Sequence, residues 1–260
     1  MNVSFSDISV PKSGTLTILL AAPVELTAKV AEIDEQCGGA ISRAIETTEF
    51  TAKKGSFLEL VAPPGLSVSR ILLAGVGPVE ELNVLDFENF GGEIMAKLLP
   101  IKEKNAAVLI DGIKPSKTPL TEVASRVAMG LRLRNYKFDT YKTQNKDNGK
   151  ETKLDKVTIM SGSSGAARRA FSTLDKIAEG VDLARDLVNE PANILYPAEF
   201  AKRLKALSKL DVKVEVLGET QMKKLGMGSL LGVGQGSEHE SQLVVMTYNG
   251  GEEGVPPLAF

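Results

Sequence analysis

The chain has 260 residues, 43% hydrophobic and 25% charged, enough for one large or two ordinary domains, so a packed core is expected and disorder is not. A formal net charge of −2 gives no overall electrostatic case for nucleic acid or an anionic membrane surface, and no apolar run nears the roughly 20 residues of a spanning helix. One cysteine, Cys37, cannot close an internal disulfide, and one histidine, His239, excludes a multi-histidine metal site within one chain. Residues 1–11 lack the basic start and apolar stretch of a signal peptide, so a cytoplasmic setting is expected.

In chain order, TLTILLAAP (15–23) is a short apolar run ending in proline and reads as a buried strand. In residues 33–48, Ile33, Cys37, Ile41 and Ile45 recur every four positions, which predicts one helix with an apolar face. GSFLELVAP (55–63) and SRILLAGVG (69–77) read as strands, residues 83–100 as a helix stopped by Pro100, and NAAVLIDG (105–112) as a buried strand. Residues 119–139 are helical, starting near Pro119 or Thr121, and LDKVTIMSG (154–162) is a further strand. Strands alternating with helices predict an α/β layer with a largely parallel sheet.

The Ser-Gly cluster at 161–165 is a loop and a domain boundary. From residue 167, Ala170, Leu174, Ile177, Val181, Ala184 and Leu187 form a stripe at steps of three and four, a helix long enough to bridge two domains. It must stop near Asn189, because Pro191 disfavours helical geometry at Glu190, while Pro197 suits the first turn of a new helix over 198–207. A strand (213–217), a helix (219–225), a glycine-rich loop (226–237) and a strand (242–249) follow, and PPLAF (256–260) begins like a third strand. There is no internal repeat or low-complexity segment. Residues 191–260 form a poor independent unit, since a chain of roughly 70 residues buries only about 60% of its unfolded surface. They read as the opening of a larger α/β domain whose remainder is missing.

Few residues suggest chemistry. Gly232–Ser237 and the Gly75-x-Gly77 of residues 74–81 could each cradle an anion with backbone N–H groups. The first lacks the lysine and Ser/Thr of a P-loop and the second lacks a third glycine, so turns at strand ends are favoured. His239 has no serine–carboxylate arrangement around it and reads as a solvated loop residue rather than a catalytic one. Cys37 lies on the apolar stripe and reads as a core thiol rather than a nucleophile. Residues 126–156 are locally basic, with Arg126, Arg132, Arg134, Lys137, Lys142, Lys146, Lys150, Lys153 and Lys156 against Asp139, Asp147, Glu151 and Asp155. Tyr136, Phe138 and Tyr141 are interleaved, so nucleic-acid contact is conceivable, but a solvated face or subunit contact is favoured.

ARDLVNEPANILYPAEFA (184–201), followed by LGMGSLLGVGQGS (225–237) and LVVMTYNGG (243–251), resembles the leucyl aminopeptidase (cytosol aminopeptidase) family, and GLRLRNYKFDTYKT (130–143) is similar to the segment before that family's interdomain helix. The resemblance is specific from 130 to 251 and weaker before. It implies a macro-like N-terminal α/β domain (1–165), a linker helix (166–190) and the incomplete start of the α/β catalytic domain (191–260). It further implies a cytoplasmic homohexamer that hydrolyses the N-terminal residue from peptide substrates with two divalent ions, Mn, Zn or Mg. In the family the ligands lie in a Gly-Lys-Gly…Phe-Asp motif and a later Asn-Thr-Asp-Ala-Glu-Gly-Arg motif, and neither occurs here. Asp182, Asp186 and Glu190 match no ligand position, so no catalytic, cofactor-binding or metal residue is assigned, and the chain alone is expected to be inactive. A stand-alone macro-type binding module and a DNA-binding regulator are the alternative readings, the latter opposed by the acidic balance.

Overall fold

The computed structural model describes residues 1–114, 117–143, 154–252 and 254–260. They divide into two compact units, Met1–Leu183 and Ala184–Phe260.

The first unit is a three-layer α/β/α fold. Its sheet holds β1 (Asn2–Ser6), β2 (Thr15–Ala21), β3 (Phe57–Val61), β4 (Arg70–Gly77), β5 (Asn105–Leu109) and β6 (Lys156–Met160), in the order β1-β6-β5-β2-β4-β3. Only β3 runs antiparallel, against β4 at the edge. The central strand β2 is apolar on both faces, as a strand covered on both sides must be. Its Leu19 joins a core with Ala74, Val76, Val108, Val157 and Ile159 beneath α3 (Val84–Leu98), α4 (Leu120–Arg134) and the first half of α5 (Ser164–Asn189). Its Leu16, Ile18 and Leu20 join a second core with Ile71, Leu73 and Leu109 beneath α1 (Ala28–Gln36) and α2 (Ala40–Thr47). Each such fully buried aliphatic side chain contributes about 1.5–3 kcal/mol.

The helices start and stop for local reasons. Asn83 caps α3 with a capping box: its side chain accepts from Leu85 N and Asp86 N, while Asp86 Oδ2 accepts from Asn83 N at 2.9 Å. Two hydrogen bonds to the Asp86 carboxylate, from the Asn83 backbone N–H and then from Lys54 Nζ, hold its pKa below the ordinary 3.8.

Three expectations for this unit need correction. The single helix over 33–48 is two helices: Gly38 and Gly39 both take positive φ, and Gly38 N and Gly39 N donate to Glu35 O and Asp34 O in a Schellman closure of α1. The Asp34 carboxylate then accepts from Ile41 N (2.8 Å) and Ser42 N (3.2 Å), capping α2 from outside it. Residues 2–6, read only as a terminus, form the edge strand β1. On α5 the buried residues are Ala167, Phe171 and Ala178, whereas Ala170 and Ala184 are exposed and Ile177 is 51% exposed. The buried face is therefore rotated from the predicted stripe, because Phe171 packs onto Phe5 of β1 with ring centroids 5.5 Å apart.

The second unit contains the end of α5, α6 (Pro197–Lys205), β7 (Lys213–Gly218), α7 (Glu219–Lys224), α8 (Gly228–Gly234) and β8 (Gln242–Thr247). β7 and β8 form an antiparallel two-stranded sheet on which α6 packs. Among its described residues the buried apolar side chains are Ala201 and Met222, while Val245 is 44% and Tyr248 70% exposed. The expected loop over 226–237 contains α8. Gly226 (φ +73) closes α7 with another Schellman motif, its N–H donating to Lys223 O and Met227 N to Met222 O, and the chain then turns helical again from Gly228. Residues 256–260 form no strand, since an extended segment becomes one only where a neighbouring edge takes its hydrogen bonds. Among the described residues no helix is long and apolar enough to cross a membrane.

Candidate functional site

The proline-bracketed break that ends α5 is a compact, charged joint. Pro197 sits at the first turn of α6 as expected, and α5 ends at Asn189. Asn189 Nδ2 donates to Arg185 O at 2.9 Å, and Ile194 N and Leu195 N both donate to Pro191 O at 2.9 Å. Arg203 on α6 reaches back across the break, 3.0 Å from Glu190 Oε1, and donates from Nε to Glu199 Oε1 at 3.1 Å. Lys202 adds a bond to Glu199 Oε2 at 3.2 Å. Glu190 and then Glu199 push the Arg203 pKa up, and Arg203 and then Lys202 hold the Glu199 carboxyl down.

His239 is exposed but not merely solvated. Its ring stacks on Tyr196 at 4.2 Å between centroids and 12° between planes, which ties the segment before β8 to the joint. Ser241 N, two residues on, donates to Glu219 Oε1 at 3.1 Å. Nothing in one-dimensional spacing marked the Tyr196–His239 or Glu190–Arg203 pairs, because the partners are distant in sequence and meet only when the elements between them fold.

The carboxylates near the joint do not converge. Asp182 belongs to the first unit, where its Oδ2 is 2.5 Å from Arg132 Nη1. Glu190 faces Arg203. Among the described residues no group of three or more His, Cys, Asp or Glu side chains could hold a metal ion.

The glycine motifs are structural. Gly75 N donates to Ser56 O and Gly77 N to Ala52 O, so the N–H groups that would cradle an anion are already taken. Gly232 and Gly234 lie in α8, and Ser237 N donates to Gly234 O in the turn after it. Cys37 is fully buried and its Sγ donates to Asp34 O at 3.3 Å, a core thiol. In the basic stretch Arg126 lies 3.6 Å from Glu88 of α3 and 3.9 Å from Glu122 of its own helix, and Arg132 3.5 Å from Asp175 of α5, so these cations are balanced by acids within the first unit. Lys137 pairs with Asp139 at 3.9 Å, and Phe138 and Tyr141 pack at 5.9 Å. Lys146, Asp147, Lys150, Glu151 and Lys153 lie outside the described residues.

Comparison with known proteins follows the same division of the chain. The profile of the cytosol aminopeptidase family, N-terminal domain, matches residues 18–145, and that of the family's catalytic domain matches residues 182–260. Probable cytosol aminopeptidases of Rhodopseudomonas palustris (strain TIE-1) and Bradyrhizobium sp. (strain BTAi1) are 39% and 42% identical over the whole chain, which covers 51% of each. The chain thus spans about half the length of the curated relatives it matches. Among solved structures, a tomato leucine aminopeptidase variant superposes with a TM-score of 0.77 at 23% identity, over 94% of this chain and 50% of that one. The bottromycin maturation enzyme BotP in complex with Mn superposes with a TM-score of 0.70 at 24% identity, over 90% of this chain and 45% of that one.

Proposed function

Because the chain belongs to the cytosol aminopeptidase family, we propose that it is the N-terminal part of a metal-dependent exopeptidase that releases N-terminal residues from peptides. The observation that carries this reading is the order of the two matches, N-terminal domain then catalytic domain, over relatives of which the chain covers about half. In this reading residues 1–165 form the N-terminal domain, 166–190 the linking helix and 191–260 the opening of the catalytic domain. The thin burial of the second unit supports it. A two-stranded sheet is marginal alone, and exposed Val245 and Tyr248 suit coverage by further elements of a larger fold.

Chemistry then rests on residues beyond these 260, since neither ligand motif of the family occurs among them. Those residues would hold two divalent ions, Mn, Zn or Mg, which supply an activated water and a polarised carbonyl when bound. The names of the relatives favour a cytoplasmic setting, and the family resemblance a homohexamer. No relative found here favours a stand-alone binding module or a DNA-binding regulator.

The test compares two purified proteins, the 260-residue chain and the same chain joined to the second half of the Bradyrhizobium relative, on leucine p-nitroanilide with Mn²⁺. Turnover is expected only from the joined protein. Turnover by the homogeneous 260-residue chain, or a folded but inert joined protein, would refute the reading.

A further inference from the structure

We propose that the first unit binds a small oxyanion, a phosphate group above all, in the cleft between the β1–β2 connection and the polar stretch of the sheet formed by Asn105 at the start of β5 and by Lys156 and Thr158 of β6. The site is independent of the aminopeptidase reading.

The register of the sheet carries the argument. Cross-strand rows on one face read Asn2–Lys156–Asn105, Ser4–Thr158–Ala107 and Ser6–Met160–Leu109. The same face continues onto β2 as Leu16 beside Ala107 and Ile18 beside Leu109, and there it is apolar and belongs to the core under α1 and α2. A sheet face that meets a packed layer is apolar. Toward β1 the rows turn polar, and Ser4 Oγ and Thr158 Oγ1 bond each other at 3.1 Å in mid-strand. Serine and asparagine are poor strand formers, so strand propensity does not account for the row.

The connection from β1 to β2 packs Ile8 and Val10 against the second core. Beside it a cleft of about 330 Å³ remains, with Ser9, Lys12 and Ser13 on the connection facing Asn105, Lys156 and Thr158 on the sheet. Among the described residues no carboxylate lines it. Among the described residues the Lys12 and Lys156 side chains have no ion pair or hydrogen bond, and the nearby acid Asp7 accepts instead from Ser164 Oγ at 2.7 Å. Two lysine point charges with hydroxyl and amide donors, and no acid among the described lining residues, are suited to a multiply charged oxyanion. The volume lies at the lower end for small-molecule pockets, of a size for a phosphate ester of one sugar rather than a dinucleotide.

The test titrates the 260-residue chain with glucose 6-phosphate and with inorganic phosphate, using glucose as the neutral control, and follows backbone amide shifts. Saturable shifts at Ser9, Lys12, Ser13, Asn105 and Lys156 are expected with at least one phosphate probe and not with glucose. Saturation by the ester alone assigns a role to the hydroxyl row, and saturation by both makes the phosphate group sufficient; either supports the site. Lys12→Met and Lys156→Met, both at exposed positions, are expected to leave the circular dichroism spectrum unchanged and each to weaken binding about tenfold. Shifts that never saturate, shifts spread equally over other surface lysines such as Lys29 and Lys223, or unchanged affinity in the double variant overturn the proposal.

Discussion

Replacing Gly130 with alanine tests how α3 and α4 meet. A Cβ there would stand 2.8 Å from both Glu88 C and Gly92 N, against 3.4 Å for ordinary contact, and closer still to Glu88 O. The opposing atoms are backbone, so no side-chain rotation relieves them, and because Glu88 O is the nearest of them the helices must part by more than about 1 Å at that point. Gly91 makes the reciprocal approach, with Val127 C and Leu131 N at 2.9 Å from its Cβ position. Overpacking of this kind costs about 1–3 kcal/mol, and the better helix propensity of alanine offsets up to about 1 kcal/mol. The net expectation is a loss of about 1–2 kcal/mol, or roughly 2–8 °C in the melting of a unit this size. Gly180 on α5 is the control, since its Cβ would meet nothing within 4 Å, and Gly180→Ala is expected to stabilise by up to about 1 kcal/mol. Hydrogen exchange of α3 and α4 amides through a urea titration reads the first unit alone. If Gly130→Ala stabilises as Gly180→Ala does, the close helix crossing is wrong.

Other residues give equally direct checks. Asp34→Ala removes the acceptor for Ile41 N and Ser42 N and should cost about 1 kcal/mol, with faster amide exchange confined first to α2. Asp86 has a depressed folded pKa, so its contribution to stability is complete above the ordinary 3.8 and is lost as the pH falls through the folded value. Asp86→Asn should therefore lower stability at neutral pH and flatten the acid limb of the stability curve, and an acid limb identical to the parent's would count against the capping box. His239 is the one histidine of the chain, so its Hε1 gives a single resolved proton signal. Stacked at 4.2 Å on Tyr196, that signal should shift downfield toward the free-imidazole position in Tyr196→Leu, and no movement would mean the stack does not form in solution.

The two apolar cores were legible from residues alone where burial is two-sided. Residues 15–21, 70–77 and 105–109 are apolar because β2, β4 and β5 are covered on both faces, and such a run has no other stable place in water. The joint was legible through Pro191 and Pro197, whose rings act on the backbone locally. The α1–α2 break was written as Cys-Gly-Gly, but a four-residue apolar period ran straight across it and hid it. The period reports only which side chains avoid water. Two short helices that bury one face of a shared core keep it as well as one long helix does.

Composition and periodicity by themselves determined a globular α/β chain with a long helix, a proline-bracketed joint and a buried thiol, because each depends on a residue and its near neighbours. The motifs added a family resemblance that the matched relatives bear out. Tertiary structure alone decided that residues 2–6 are an edge strand, that His239 lies on Tyr196, and that Lys156 shares a cleft with Lys12. The physical reason is register: Ser4 and Thr158 bond across 154 positions of sequence, and only the pairing of β1 with β6 brings such residues into one row.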